Sequence, residues 1–318
     1  MSSPALHVVF DDQLFPLAPG DSVLDALLKG GVAIPYGCRA GACHSCLLRT
    51  DDRPLPASSQ RELTPRQIEL GCFLSCQLRP QASLSVQRLA EADFATPAEV
   101  VGLEHLSPGV LKLSLAARTR WQAGQYFTVL LNDDTARCYS PVASSRHSEL
   151  LEFHIRYRQH GGFSGRLPDI AHPGATLRLQ GPFGHFTLRD PLSDKPTVFI
   201  AQGTGLSPIL ALLEEWQLSQ HNANTILLAE GIEGEQEHYL GNRLATLGQQ
   251  NEALTLDLRP SGSDWIANAL TKLPELQGAA VYICGHSQFV AKARKACFMR
   301  GASPRQIHSE IYLDFSPQ

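Results

Sequence analysis

Four cysteines in two segments constrain this chain more than any other feature. Four residues separate Cys38 from Cys43, two separate Cys43 from Cys46, and twenty-nine separate Cys46 from Cys76. Thiolate sulfur is the ligand that iron–sulfur clusters select, and this is the plant-type spacing for a [2Fe–2S] cluster. Gly41 permits the tight turn that a cluster-binding loop needs. The predicted metal ligands are therefore Cys38, Cys43, Cys46 and Cys76.

A zinc site and disulfides are the alternative uses of these cysteines. Zinc sites usually place their cysteines as two spaced pairs, whereas this chain has a triplet and a distant single cysteine. Residues 1–4 lack the basic region and apolar run of a signal peptide, which predicts a cytoplasmic protein without disulfides. Cys72 is a rival for the fourth ligand. Cys76 is preferred because its spacing from Cys46 and its Leu-Ser-Cys-Gln setting resemble those of plant-type ferredoxins, whereas Cys72, beside Gly71, resembles a small buried residue.

Size and charge exclude several classes of function. A chain of 318 residues is long enough for two or three domains, each with its own hydrophobic core. No apolar run reaches the length of a membrane span. The formal net charge of −4 gives no basic footprint for nucleic acid. We therefore expect no membrane span and no nucleic-acid partner.

Residues 1–93 predict a β-grasp domain around the cysteine loop. Residues 7–17 alternate as a β-hairpin with a turn at two aspartates. Asp21 or Ser22 can cap a helix that has an apolar face and ends at Gly30. A hairpin, a helix, a metal-binding loop and later short strands together favour this fold, which would make the domain an electron carrier.

Residues 97–193 predict a small antiparallel β-barrel. Strand-like alternation recurs in short segments between residues 100 and 130, with turn signals between them. Further on, Arg137 and Tyr139 share one face of a strand, and Ser140 follows. This pairs a bidentate phosphate donor with an aromatic stacking surface. Taken alone, an ordinary surface arginine beside a core tyrosine would explain the same pattern.

A glycine-rich turn lies later in the same region. Residues 160–167 include Gly161, Gly162, Phe163 and Ser164, and they run into a short helical pattern. Such a turn presents backbone amides and the positive end of a helix to a phosphate group. The turn is therefore a candidate site for a phosphate or pyrophosphate.

Residues 194–318 predict an α/β domain with a parallel sheet. An apolar strand at 197–201 runs into the glycine-rich segment 203–208, and a helix follows. Glycines between a strand and a helix let a dinucleotide phosphate approach the helix N-terminus. The segment is not the full Gly-x-Gly-x-x-Gly fingerprint, so the motif is weak by itself.

Together these motifs resemble the ferredoxin–NADP reductase superfamily. By this resemblance, Arg137 binds the FAD pyrophosphate, Tyr139 stacks on the isoalloxazine, and Ser140 hydrogen-bonds near the reactive flavin nitrogen. The segment 203–208 has the superfamily's Gly-x-Gly-x-(Ser/Ala)-Pro form. The cofactor-binding residues that the resemblance implies are Arg137, Tyr139, Ser140, His154, Arg156, Gly161, Gly162, Phe163, Ser164, Gly203, Thr204, Gly205, Pro208 and Gly285.

The C-terminal segments extend the resemblance. Cys284 and Gly285 end a strand as in the superfamily's Cys-Gly-Pro segment, whose cysteine lies near the nicotinamide and assists hydride transfer. His286 stands in place of the usual proline, and a buried structural thiol is the alternative role for Cys284. Residues 307–312 resemble the last strand, which brings a glutamate and an aromatic residue to the flavin. The implied catalytic residues are Cys284, Ser140, Glu310 and Tyr312, with Phe315 as the alternative aromatic shield of the ring.

The order of the three domains resembles the reductase components of bacterial multicomponent oxygenases. The resemblance implies that electrons pass from NADH through FAD and a [2Fe–2S] cluster to an oxygenase or another redox protein. FAD belongs in the middle because nicotinamide releases two electrons together and the cluster accepts one at a time. The alternatives are a different acceptor, such as a dehydrase, a haem protein or free flavin, and a redox sensor without turnover.

Two local features refine the resemblance. Glu230 and Glu233 follow the second strand of the nicotinamide domain, where superfamily members that use NADPH usually carry Arg or Ser for the 2′-phosphate. Carboxylates there would repel that phosphate, which predicts NADH over NADPH. His44 stands where glycine is commoner, and we expect it to alter the hydrogen bonding that tunes the cluster potential.

Overall fold

The structure is a computed structural model that describes residues 6–89, 95–132, 135–189, 196–218, 224–261, 268–269, 273 and 275–312. Phe315 and the two predicted domain junctions, near residues 93 and 194, lie outside the described residues. Three bodies follow one another along the chain, each with a hydrophobic core, and one core of the C-terminal body also includes Ala123 and Phe186 from the barrel region. This is the predicted multidomain architecture of a β-grasp domain, an antiparallel barrel and an α/β domain.

A three-stranded mixed sheet, a separate pair of strands and two short helices form the N-terminal body. The strands of this body are β1 (His7–Phe10), β2 (Gln13–Pro16), β3 (Leu47–Arg49), β4 (Cys72–Leu74) and β5 (Leu84–Val86). Strand β1 pairs antiparallel with β2 and parallel with β5. Helix α1 (Val23–Lys29) begins at the N-cap Ser22, whose side chain accepts a hydrogen bond from the Asp25 amide, while the Asp25 carboxylate accepts from the Ser22 amide. The Ser22 cap was one of three predictions for this helix, and the other two, its apolar face and its end at Gly30, are also confirmed.

The separate hairpin of β3 and β4 explains the long gap between the third and fourth predicted ligands. Strand β3 starts directly after Cys46, and β4 ends two residues before Cys76. The antiparallel register pairs Leu47 with Leu74. The hairpin therefore brings two cysteines that are thirty positions apart to one end of the same sheet, beside helix α2 (Pro65–Glu69).

Six antiparallel strands form the middle body. They are β6 (Thr96–Ser107), β7 (Val110–Ala117), β8 (Tyr126–Leu130), β9 (Ala136–Tyr139), β10 (Leu150–Arg156) and β11 (Thr176–Phe183), in the order β10-β7-β6-β11-β8-β9. The end strands β9 and β10 contact each other, so the sheet curls into a barrel around one apolar core.

Strand β11 is irregular near its end, and the helix after the glycine-rich turn is short. The strand continues to Phe183 with a register shift after Gln180. The left-handed Gly181 makes this irregularity feasible without ending the strand. The helix after the glycine-rich turn, α3 (Leu167–Ile170), is only four residues long, so its dipole contributes little to that turn.

A parallel five-stranded sheet forms the C-terminal body. Its elements are β12 (Thr197–Gln202), α4 (Leu206–Leu218), β13 (Thr225–Glu230), α5 (Gly241–Gln250), β14 (Leu254–Arg259), β15 (Ala280–His286), α6 (Ser287–Met299) and β16 (Ile307–Tyr312). The strand order β14-β13-β12-β15-β16 reverses at β12, and apolar cores cover both faces. Ligands of such sheets bind at the carboxyl ends of the strands around the reversal. Within the described ranges, no helix is long and apolar enough to cross a membrane.

Gly124 is a sensitive point where the barrel meets the C-terminal body. Its φ is +83°, and a Cβ there would lie 1.8 Å from the Phe186 carbonyl oxygen. Gly174 has nearly the same φ, +85°, but open space around it. Gly174→Ala is therefore expected to cost about 1–2 kcal/mol of unfolding free energy, from the left-handed backbone alone.

Gly124→Ala is expected to cost roughly a further 1–3 kcal/mol, because the new methyl group must displace a backbone carbonyl. Urea unfolding of both variants, followed by far-ultraviolet circular dichroism, measures the difference. Equal losses in the two variants would show that the contact with Phe186 is not a tight one.

Candidate active site and cluster loop

The four predicted cluster ligands form two pairs of thiols. Cys38 is in hydrogen-bonding contact with Cys43, and Cys46 is in contact with Cys76. Two pairs suit two irons, because each iron of a [2Fe–2S] cluster takes two thiolates besides the bridging sulfides. The thiol arrangement therefore fits a two-iron cluster better than a zinc ion.

Backbone amides and two side chains surround these sulfur atoms. The amides of Ala40, Ala42 and Cys43 lie 3.2–3.3 Å from the Cys38 sulfur. The Ser45 hydroxyl donates to the Cys43 sulfur at 3.3 Å. Hydrogen bonds to sulfur stabilise the negative charge of thiolates and of the cluster they hold. The hydrogen-bond donors of the loop therefore favour cysteine ligands in the thiolate form.

Cys76 and its rival Cys72 occupy different environments. The Gln77 side-chain amide donates to the Cys76 sulfur at 3.3 Å. The hydrogen bond with Cys46 lowers the pKa of Cys76 to about 7. Cys72 instead lies inside β4, fully buried in the apolar core and opposite Arg49 in the ladder. The geometry therefore favours Cys76 over Cys72 as the fourth ligand.

His44 occupies a backbone conformation that favours glycine. Its φ is +54°, in the left-handed region, which explains why glycine is the easier residue at this point of the loop. Its ring is buried against Phe183 of the barrel, with 4.4 Å between the ring centroids. Burial lowers the pKa of His44. The side chain that glycine lacks thus packs between the loop and the barrel.

One cavity of about 980 Å³ joins all three bodies of the molecule. This volume is at the upper end of the range for small-molecule sites. The cluster loop contributes Ala42 and Cys43 to its wall. The predicted site residues that line it are Arg137, Tyr139, Ser140, Arg156, Gly161, Gly162, Phe163, Ser164, Gly203, Thr204, Glu310 and Tyr312. The structure therefore brings most of the predicted flavin and nicotinamide residues together at one site.

The barrel side of the cavity has the groups that FAD requires. The Tyr139 ring packs on Phe163, with 5.3 Å between centroids, and burial raises its pKa. Guanidinium groups of Arg137, Arg156 and Arg158 lie along the wall. Gly162 faces open space, where a Cβ would meet nothing within 4 Å. An aromatic wall, three cations and an accessible glycine turn fit a flavin with its pyrophosphate.

Five of the predicted residues do not line this cavity. His154 is buried, with its Nδ1 atom 3.2 Å from the Tyr239 hydroxyl. Gly205 lets a backbone approach, because a Cβ there would lie 2.7 Å from the Cys284 carbonyl oxygen. Gly285 is similarly crowded by Gln202, at 2.9 Å. These residues, with Pro208 and Cys284, lie behind the wall and support it.

Cys284 lies behind Tyr312 and next to Glu310. The Cys284 side chain is 0% exposed, and its thiol contacts the Tyr312 hydroxyl, which also donates to the Thr204 carbonyl oxygen at 3.4 Å. Burial, and then the nearby Glu310, raise the pKa of Cys284. Burial, with a smaller effect from Glu62, raises the pKa of Glu310 to about 7. Tyr312 therefore separates the thiol from the cavity.

Sequence reasoning missed the residues that join the barrel to the cluster loop. Tyr126, Thr128 and Cys138 all donate hydrogen bonds to carbonyl oxygens of that loop. One signal in the sequence could have pointed to Cys138. Side chains alternate along a strand, so Cys138 must face away from Arg137 and Tyr139. The sequence does not show which residue Cys138 faces, because that residue, Cys43, lies ninety-five positions away in the chain.

Three domain families match consecutive parts of the chain. A 2Fe-2S iron-sulfur cluster binding domain matches residues 9–81, an oxidoreductase FAD-binding domain matches 98–188, and an oxidoreductase NAD-binding domain matches 199–295. The first match contains the four predicted cluster ligands, the second contains the predicted flavin residues of the barrel, and the third contains Gly203, Thr204 and Cys284 but ends before Glu310 and Tyr312.

Relatives match over nearly the full length. Terephthalate 1,2-dioxygenase, reductase component 1, from Comamonas sp. is 30% identical over 96% of this chain and 96% of its own. The aromatic O-demethylase reductase subunit of an Amycolatopsis strain is 30% identical over 94% of this chain and 96% of its own. The crystal structure of an Amycolatopsis cytochrome P450 reductase has a TM-score of 0.66 at 24% identity, covering 98% of this chain and 100% of that one. The chain therefore belongs to the ferredoxin-fused reductases of the ferredoxin–NADP reductase superfamily, oxidoreductases that use a [2Fe–2S] cluster, FAD and NAD(H).

Proposed function

We propose that the protein is the NADH-dependent reductase component of an oxygenase system and acts in the cytoplasm. The observation that carries this proposal is the single cavity whose wall combines the cluster loop, the barrel and the carboxyl ends of the parallel strands. The relatives named as reductases of a dioxygenase and of an O-demethylase support an oxygenase as acceptor. No disulfide joins any of the described cysteines, which suits a reducing compartment.

The barrel residues bind and orient the flavin. FAD, when bound, accepts a hydride from NADH and passes electrons on singly, so one NADH yields NAD⁺, one proton and two reduced one-electron acceptors. Arg137, Arg156 and Arg158 neutralise the pyrophosphate, and Tyr139 supports the ring system from a position fixed by Phe163. The buried Ser140 supplies a hydroxyl at the same wall.

Tyr312, Cys284 and Glu310 control the nicotinamide side. Tyr312 covers the Cys284 thiol, so the nicotinamide ring gains contact with that thiol only when it takes the place of the tyrosine ring. Glu310 lines the cavity with a pKa of about 7. At neutral pH its carboxylate could therefore accept the proton that a reduced flavin would release as its two electrons pass to one-electron acceptors, and return that proton to solvent.

Two carboxylates at the end of β13 support the choice of NADH. Glu230 is buried, and its carboxylate accepts a hydrogen bond from Ser261 at 3.2 Å. Glu233 is exposed and lines the cavity. A carboxylate suits the ribose hydroxyls of NADH and repels a 2′-phosphate.

The acceptor is tested by reconstitution. The protein, NADH and a purified aromatic-ring oxygenase component without its own reductase should together form hydroxylated product in step with NADH oxidation. NADH oxidation that couples only to a deoxysugar dehydrase component would show that the acceptor class is wrong. A rate of NADH oxidation at background with any acceptor, dyes included, would contradict the reductase function itself.

Cys76→Ser should separate the two halves of the electron path. Ferricyanide can take electrons from the flavin directly, so its reduction should persist, whereas reduction of cytochrome c through the cluster should fall to background. Cys72→Ala is the matched control, because Cys72 is a buried thiol of the same domain outside the two thiol pairs. Loss of cytochrome c reduction in Cys72→Ala, with Cys76→Ser active, would reverse the ligand assignment.

Glu233→Arg should shift coenzyme preference toward NADPH. Replacing a repelling carboxylate by a guanidinium should raise the ratio of kcat/KM for NADPH to that for NADH at least about tenfold, or about 1.4 kcal/mol. Glu237→Arg makes the same charge change on an exposed residue of the same loop that does not line the cavity. An equal shift in both variants would mean that overall charge, not Glu233, sets the preference.

A further inference from the structure

Strand β9 has one face toward the flavin side of the cavity and the other toward the cluster loop. Arg137 and Tyr139 line the cavity on the side that fits the flavin, and Cys138 borders the same cavity where the barrel meets the cluster loop. Cys138, between them, is paired with Thr128 across the ladder, so both side chains project from the other face. The cluster loop lies against that other face.

Two donors from this face converge on one backbone atom. The Thr128 hydroxyl donates to the Cys43 carbonyl oxygen at 2.7 Å, and the Cys138 thiol donates to the same oxygen at 3.6 Å. The Thr128 oxygen and the Cys138 sulfur are themselves 3.3 Å apart. Cys43 is the second of the predicted cluster ligands. The barrel therefore holds a ligand residue of the neighbouring domain by its main chain.

Burial makes the Thr128 contact consequential. Thr128 is 0% exposed, so its hydroxyl has no water to replace the carbonyl partner. Leaving a buried polar group without a partner costs more free energy than an exposed hydrogen bond contributes. The adjacent Tyr126 hydroxyl donates to the Ala42 carbonyl oxygen, and the His44 ring packs on Phe183. The contact is thus the buried centre of a larger interface between loop and barrel.

We propose that Thr128 and Cys138 are positioning residues for the iron–sulfur centre, which hold Cys43 by its carbonyl oxygen and so fix the cluster loop against the flavin-binding barrel. The proposal rests on the proposed electron path from flavin to cluster. Electron transfer between the two groups depends on how closely and how steadily the loop lies on the barrel. Hydride transfer from NADH takes place at the other side of the cavity and does not require this contact.

Thr128→Val tests the proposal, because valine keeps the shape of threonine and removes the hydroxyl. In single-turnover experiments on the fully loaded protein, cluster reduction should slow by about tenfold, as for other losses of ligand support. Flavin bleaching by NADH should keep its rate. Hydrogen–deuterium exchange of a peptide covering residues 38–46 should become faster. Thr128→Ser, which keeps the hydroxyl, should restore both readouts, and Cys138→Ala should show a smaller effect in the same direction.

Thr50→Val is the matched control. Thr50 is a buried threonine of the ferredoxin domain whose hydroxyl donates to the Ser85 carbonyl oxygen at 2.6 Å, away from the barrel. It should leave the rate of cluster reduction unchanged. Equal slowing in Thr50→Val, or normal cluster reduction and normal exchange in Thr128→Val, would overturn the proposal. Absence of flavin bleaching in the unaltered protein would instead refute the proposed function, and the exchange measurement would still decide whether Thr128 holds the loop.

Discussion

Buried hydrogen bonds between the barrel and the main chain of the cluster loop connect the two redox halves of this protein. The ferredoxin body and the barrel each have their own apolar core, so neither core fixes the place of one body relative to the other. Thr128, at the centre of this contact, has no water to offer its hydroxyl an alternative partner. Conversion of a hydride into single electrons requires two adjacent electron carriers. This contact holds the cluster loop next to the barrel that binds the flavin.

Each domain places its functional residues where the chain leaves regular structure. The hairpin of β3 and β4 brings Cys46 and Cys76 together, and the parallel sheet presents Thr204 and Glu310 at the carboxyl ends of its strands. Strand β9 serves two neighbours at once, because alternation directs Tyr139 toward the flavin side and Cys138 toward the loop. The rigid ladders thus determine the geometry of the loops that bind cofactors.

Local sequence patterns were enough to predict most of the fold and much of the candidate site. Glycine positions, capping residues and strand alternation predicted the three bodies, and the spacing of the cysteines led to four thiols that the structure arranges in two pairs. The features that the sequence alone does not reveal depend on distant residues. The segment ending at Phe183 continues as strand because β8 pairs with it, and Cys284 is hidden because Tyr312 comes from another strand. No single segment contains that information.

Anaerobic titration of the purified protein with NADH tests the central claim most directly. Visible absorbance follows the flavin, and electron paramagnetic resonance at low temperature follows the cluster. The account predicts that the flavin bleaches and that a rhombic [2Fe–2S] signal then appears. Bleaching without that signal would contradict the electron path from the barrel to the cysteine loop.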